Sequence, residues 1–129
     1  MGYPVVHFEI VGKDIERLHA FYHDAFDWEI GPPNPSVGVS YSMVYPRGEG
    51  TINGGIGATT NNYEGHATFY IGVPDIDAAL ARVVELGGSV MLPPSPAAGG
   101  PKIALFRDPE GHVVGLVQAP ALRTSSEVV

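Results

Sequence analysis

The sequence predicts an α+β fold built from two βαβββ modules, whose curved half-barrel sheets enclose a central cavity. Three observations carry the prediction. The order strand, helix, three strands occurs twice along the chain. Shifting the first half by 61 residues lays Phe8 on Phe69, Ile10 on Ile71, Asp14 on Asp75 and Ile15 on Ile76. Such coincidence of apolar and capping positions is the mark of an internal repeat. Finally, Gly and Pro, 17 and 12 of 129 residues, cut the chain into short segments.

The elements follow in order. Val5 to Val11 alternates, with Val6, Phe8 and Ile10 on one face and Val5, His7 and Glu9 on the other. Asp14 caps a helix whose Ile15, Leu18, Phe21, Tyr22, Ala25 and Phe26 recur at helical spacing. Strands are expected at Trp28 to Ile30, Tyr41 to Tyr45 and Thr51 to Ala58. The second half repeats this with a strand from His66 to Val73 and a helix capped by Asp75, carrying Ile76, Leu80, Val83 and Val84 and stopped at Gly87-Gly88. Its further strands are Ser89 to Leu92, Lys102 to Arg107 and His112 to Gln118, the last two joined by the turn Asp108-Pro109-Glu110-Gly111. Residues 1–122 form one domain, with modules at 4–60 and 64–119, and 123–129 form a disordered tail. Gly31 to Gly38 and the Pro-rich Pro93 to Pro101 read as loops; the latter serves as a lid or as a plain connector.

The chain has no Cys, which excludes disulfides and thiolate metal sites. No apolar run approaches the ~18 residues of a membrane span, and the first residues lack a signal-peptide pattern, so a cytoplasmic location is expected. The net charge of −7 weighs against nucleic acid and is compatible with a cationic ligand.

Several motifs resemble the vicinal oxygen chelate superfamily, the glyoxalase, bleomycin-resistance and extradiol-dioxygenase group. In the first half they are His7-Phe8-Glu9-Ile10, Asp14-Ile15-Glu16-Arg17, Phe21-Tyr22, Phe26-Asp27-Trp28 and Asn53-Gly54-Gly55-Ile56. In the second they are Val73-Pro74-Asp75-Ile76-Asp77, Leu86-Gly87-Gly88, Asp108-Pro109-Glu110-Gly111 and Gly115-Leu116-Val117-Gln118. The resemblance implies a metal site with ligands from the first and last strands of each half. Those positions fall on His7, Gly54, Thr68 and Gly115. Glycine stands where carboxylates are expected, and a transition metal needs three or four protein ligands. The resemblance therefore implies no cofactor here and weighs against an enzyme. A divalent metal held by His7, Glu9 and His66 is the alternative set. His19, His23 and His112 read as structural or exposed; for His19 and His23, four apart on the helix, a solvated face is favoured over a metal site. Neither a nucleophile elbow nor a phosphate-binding loop is present. The glycines of Asn53-Gly54-Gly55-Ile56-Gly57 read as a place where the strand passes close to a ligand or another backbone.

Alternation assigns the ligand-binding surface to His7, Glu9, Tyr41, Met43, Tyr45, His66, Thr68, Tyr70 and Gly115, with Trp28 at a rim. Aromatic walls with a few polar groups suit an apolar or aromatic small molecule. The expected function is a metal-free binding protein that sequesters an aromatic or cationic natural product, of the antibiotic-resistance type. The resemblance further implies a homodimer. The alternatives are a metal-dependent lyase or dioxygenase with a non-standard site, or a metal-free isomerase or cyclase using Glu9 or His7 as base. No nucleic-acid or membrane partner is expected.

Overall fold

The computed structural model describes residues 2–36, 39–59, 62–97 and 100–119. Among them are two helices and nine strands, in the order β1 (Val5–Gly12), α1 (Ile15–Phe26), β2 (Glu29–Ile30), β3 (Asn34–Ser36), β4 (Val39–Tyr45), β5 (Gly54–Ala58), β6 (His66–Val73), α2 (Ile76–Glu85), β7 (Ser89–Pro96), β8 (Lys102–Arg107) and β9 (Val113–Gln118). The α+β class and the strand–helix–strands repeat are as the sequence predicts. The proposed tail at 123–129 lies outside the described residues. Among the described residues no helix is long and apolar enough to cross a membrane.

The chain divides into two compact units, one running from Val6 to Phe69, the other joining the residues up to Val5 with those from Tyr70 onward. In the first unit the strand order is β2-β4-β5-β1, with β3 also on β4. Strands β1 and β5 are parallel, with Phe8 opposite Gly54 and Glu9 opposite Gly55. Strands β4 and β5 are antiparallel, with Tyr41 opposite Gly57 and Met43 opposite Gly55. In the second unit the order is β6-β9-β8-β7, with parallel β6 and β9 placing Tyr70 opposite Gly115.

Both helices begin as read. The Asp14 carboxylate accepts from the Arg17 N–H, and that of Asp75 from the Ala78 N–H, each at 3.0 Å. Helix α1 ends on Asp27 in the left-handed region, φ 60°, with its N–H on the His23 carbonyl. The two helices differ in what they bury. Ile76 and Leu80 of α2 join Val73, Ala104, Phe106, Val114 and Leu116 in a closed core. Each large side chain of that kind contributes roughly 1.5–3 kcal/mol when fully buried. On α1 no residue is fully buried.

Three readings change. The segment Gly31 to Gly38 contains β3 and is no plain loop. Strand β7 runs on to Pro96, into the segment read as a lid. It is the outermost strand of its unit and its register slips at Leu92 and Ser95, which is how an edge accommodates prolines that cannot donate to a ladder. His19 is half-buried rather than fully solvated: its Nε2 is buried and, among the described residues, lacks a hydrogen-bond partner, as does the Ser42 hydroxyl. His23 is exposed and lies 3.2 Å from Asp24. His112 is exposed too and closes the turn on Asp108.

Candidate functional site

The alternation on β1 holds where it matters most. Phe8 turns to one face, where its ring meets Trp28 at 5.2 Å. His7 and Glu9 turn to the other, and there the first unit assembles a connected polar chain. The Tyr41 hydroxyl donates to Glu9 Oε1 at 3.0 Å. His66 Nε2 lies 2.7 Å from Glu9 Oε2. His7 Nε2 lies 2.9 Å from the Tyr41 oxygen, and Tyr63 Oη lies 2.6 Å from His66 Nδ1. Glu9 is 6% exposed, so its carboxylate is taken out of water and held by protein donors.

With Glu9 ionised and both imidazoles neutral, donor arithmetic orients the hydrogens. A hydroxyl has one proton and an ionised carboxylate has none. Tyr41 spends its proton on Glu9, so His7 must donate Nε2–H to Tyr41. His66 must likewise donate Nε2–H to Glu9. In neutral His66 the Nδ1 is then an acceptor, and Tyr63 donates to it. Every hydrogen in the chain points toward Glu9, and the two bonds that reach the carboxylate are charge-assisted. Burial holds the His7 imidazole below its ordinary range, against the opposing pull of Glu9.

Glycines make room for this arrangement. A Cβ on Gly55 would collide with the Tyr41 phenol at its hydroxyl end, and one on Gly57 would come within 2.7 Å of the same ring. Tyr41 therefore lies flat along a track left by alternate glycines and reaches β1. The other face shows the same device: a Cβ on Gly54 would fall 2.5 Å from the Phe8 ring. These glycines make room for aromatic rings from neighbouring strands.

The register also corrects the carry-over of Gly54. Gly115 pairs with Tyr70, which corresponds to Glu9 under the 61-residue shift, and Glu9 pairs with Gly55. Gly55 is thus the counterpart of Gly115. In the second unit the Tyr70 ring occupies the space beside Gly115, 2.5 Å from an added Cβ. Tyr70 is 4% exposed and packs there as a core residue. At both glycine positions a ring lies beside the place where a carboxylate would project. Of the alternative set, Glu9 and His66 are joined to each other, while the Tyr41 phenol is bonded to both His7 and Glu9. Among the described residues no group of three His, Asp or Glu is placed to hold a metal ion.

The remaining residues divide. Met43 is exposed and Thr68 half-buried. Tyr45 carries the Arg47 guanidinium 5.0 Å above its ring, and Arg47 in turn grips Glu29 with two hydrogen bonds. Trp28 is not at a rim with His7 and Glu9. It stacks on Tyr22 at 5.1 Å and meets Phe8, on the opposite face of β1. Tyr63 escaped the sequence reading. Its only signal was a position three residues before His66, in a segment without periodicity.

Comparison with known proteins agrees with this architecture. Residues 5–116 match the family model of the Glyoxalase/Bleomycin resistance protein/Dioxygenase superfamily. CFP32 of Mycobacterium bovis and of Mycobacterium tuberculosis, named provisionally as a glyoxylase, is 34% identical over 110 residues, 82% of this chain. That stretch is 42% of the relative, so the chain spans less than half its length. Among solved structures, protein BH1468 of Bacillus halodurans superposes with TM-score 0.69 at 16% identity, covering 96% of this chain and 99% of that one. The methylmalonyl-CoA epimerase of Mycobacterium tuberculosis gives 0.65 at 16%, covering 95% and 91%. That of Streptomyces coelicolor, bound to 2-nitronate-propionyl-CoA, gives 0.65 at 20%, covering 94% and 100%. At such identities the likeness is one of fold. The chain belongs to the Glyoxalase/Bleomycin resistance protein/Dioxygenase superfamily.

Proposed function

We propose that this protein binds an aromatic small molecule, of the natural-product antibiotic kind, on the β1–β4–β5 face of the first unit, and orients it without a metal. The observation that carries the reading is the substitution of rings for ligands: Tyr41 beside Gly55 occupies the place where a metal-binding carboxylate would project. A surface of Tyr41, Met43, Tyr45 and Thr68 around a fixed polar chain supplies apolar contact plus a few oriented hydrogen bonds, as small-molecule sites do. The net charge of −7 favours cationic members of the class. Each oxygen of Glu9 accepts one hydrogen bond, from Tyr41 and from His66, and each keeps a second lone pair toward which a cationic group could turn.

Titration calorimetry with cationic and neutral polycyclic antibiotics tests this. Binding tighter than about 1 mM, near 4 kcal/mol, that is lost in Tyr41→Ala supports it. Failure of the whole panel, or binding indifferent to Tyr41, contradicts it.

A second reading is favoured by the continuity of the chain from His7 to Tyr63. Four linked hydrogen bonds through a buried carboxylate can move a proton, so a metal-free isomerase or cyclase with Glu9 or His7 as base fits the same geometry. In that case Glu9→Gln abolishes turnover of a ligand it still binds. A stoichiometric divalent metal that disappears in His7→Ala would instead favour the metal-dependent alternative.

A further inference from the structure

Where β1 passes into α1, the first unit carries a hollow of about 290 Å³ lined by Gly12, Lys13, Asp14, Arg17, Leu18 and Phe21. Its walls are of two kinds. Leu18 and Phe21 supply apolar surface, and the Phe21 ring is 57% exposed. That ring is held in place: it meets Tyr22 edge-on at 5.0 Å and Phe26 at 6.5 Å. Leu18 leans over the strand end, where a Cβ on Gly12 would fall 2.7 Å from its Cδ1 methyl. The other wall is cationic, in a chain whose net charge is −7. Two of its seven Lys and Arg residues, Lys13 and Arg17, stand there.

The charges in the hollow differ in how far they are engaged. Asp14, its one acid, spends Oδ1 on the Arg17 N–H as the helix cap. That N–H is spent with it, so an incoming anion meets side chains rather than the helix start. Lys13 lies 3.1 Å from Glu64, in a pair exposed on both sides; such pairs contribute little and exchange readily. Among the described residues the Arg17 guanidinium makes neither a hydrogen bond nor an ion pair. A planar guanidinium takes a carboxylate through two parallel N–H donors. Arg17 and Phe21 are one turn apart on the same side of α1, so the anion site and the apolar wall adjoin. The volume is at the small end for ligand sites and suits a single ring on a short tether. We propose that this hollow binds a small aromatic monocarboxylate, with its carboxylate on Arg17 and Lys13 and its ring against Phe21 and Leu18. His7, Glu9 and Tyr41 take no part in the lining, so the proposal is independent of what the β1–β4–β5 face binds.

Proton–nitrogen NMR of the full chain, titrated with 3-phenylpropanoate at neutral pH, tests it. The Gly12 N–H and the Arg17 Nε–H should shift in a saturable way. The expected dissociation constant is on the order of 1 mM, the range open to a ligand of about eleven heavy atoms. The neutral 3-phenylpropan-1-ol, which lacks the charge, and acetate, which lacks the ring, should each bind roughly 10-fold or more weakly. Arg17→Gln should weaken the carboxylate by about 10-fold and leave the alcohol unchanged, whereas Phe21→Ser should weaken both. Arg17 is exposed and Gln is a good helix former, so that variant decides the matter should Phe21→Ser fail to fold. Four outcomes overturn the proposal: no saturable shift up to about 20 mM, an alcohol that binds as tightly as the carboxylate, binding indifferent to Arg17→Gln, or shifts confined to His7 and His66, which would assign the carboxylate to the β1–β4–β5 face.

Discussion

Replacing Glu9 by Gln tests the convergent chain of donors most sharply, because the change is not conservative here. Both oxygens of Glu9 accept, from Tyr41 and from His66. Gln offers one acceptor oxygen and one donor amide, so one arm must reverse. Either the amide donates to His66 Nε2, moving that proton to Nδ1 and turning the Tyr63 hydroxyl outward, or it donates to Tyr41, whose proton then goes to His7 Nε2. Two charge-assisted bonds, each worth about 1.5–3 kcal/mol, become neutral ones worth about 0.5–1.5. Burying an amide instead of a carboxylate offsets part of the loss. The expected net destabilisation is roughly 1–3 kcal/mol. The assay is nitrogen NMR of histidine-labelled protein at about pH 8, where imidazoles are ordinarily neutral. In the wild type His7 and His66 should both carry the proton on Nε2, and in Glu9→Gln one of the two should switch. A folded variant with both tautomers unchanged would refute the reasoning, as would a wild type with either proton on Nδ1.

Other consequences follow from the same geometry. Gly55→Ala should cost roughly 1–3 kcal/mol by driving Tyr41 from its track. The cost should shrink in a Tyr41→Ala background, and strict additivity of the two changes by denaturant melts would contradict the packing described. Burial holds His7 and His19 below their ordinary range. The unfolded chain therefore takes up protons first, so stability is full above about pH 6.5 and is lost as pH falls through the folded values. Removing one contributor in His19→Leu should flatten that loss, and an unchanged slope of melting temperature against pH would count against it. Asp27 adopts φ 60° at the end of α1, so Asp27→Gly should stabilise by about 0.5–1 kcal/mol, an increase that thermal unfolding would show directly.

What the sequence made legible was set by periodicity. On β1 the two-residue alternation separated His7 and Glu9 from Phe8, and their shared face followed without any knowledge of the fold. The caps Asp14 and Asp75 were legible because a local carboxylate-to-amide bond defines them. Trp28 was misplaced because it precedes a strand only two residues long, where no alternation exists to orient it. Tyr41 was named as a wall residue, yet its central role depends on the glycine track opposite, and register between strands is not written in either strand alone. Tyr63 reaches His66 through a turn without repeat, and His19 is half-buried at a helix position that the sequence pattern treated as solvent-facing. Edge prolines on β7 carried a loop signal because the tolerance of an outer strand depends on its neighbours.

On the proposed function, ligands engage the β1–β4–β5 face of the first unit through Tyr41 and the histidines tied to it. The imidazole resonances of His7 and His66, followed while titrating any antibiotic that raises the melting temperature, test it directly. Both should move in a saturable way with the affinity found by calorimetry, and both should stop moving in Tyr41→Ala. Saturable binding that leaves both imidazoles unmoved, while shifting resonances of α1 or of the second unit, would contradict it.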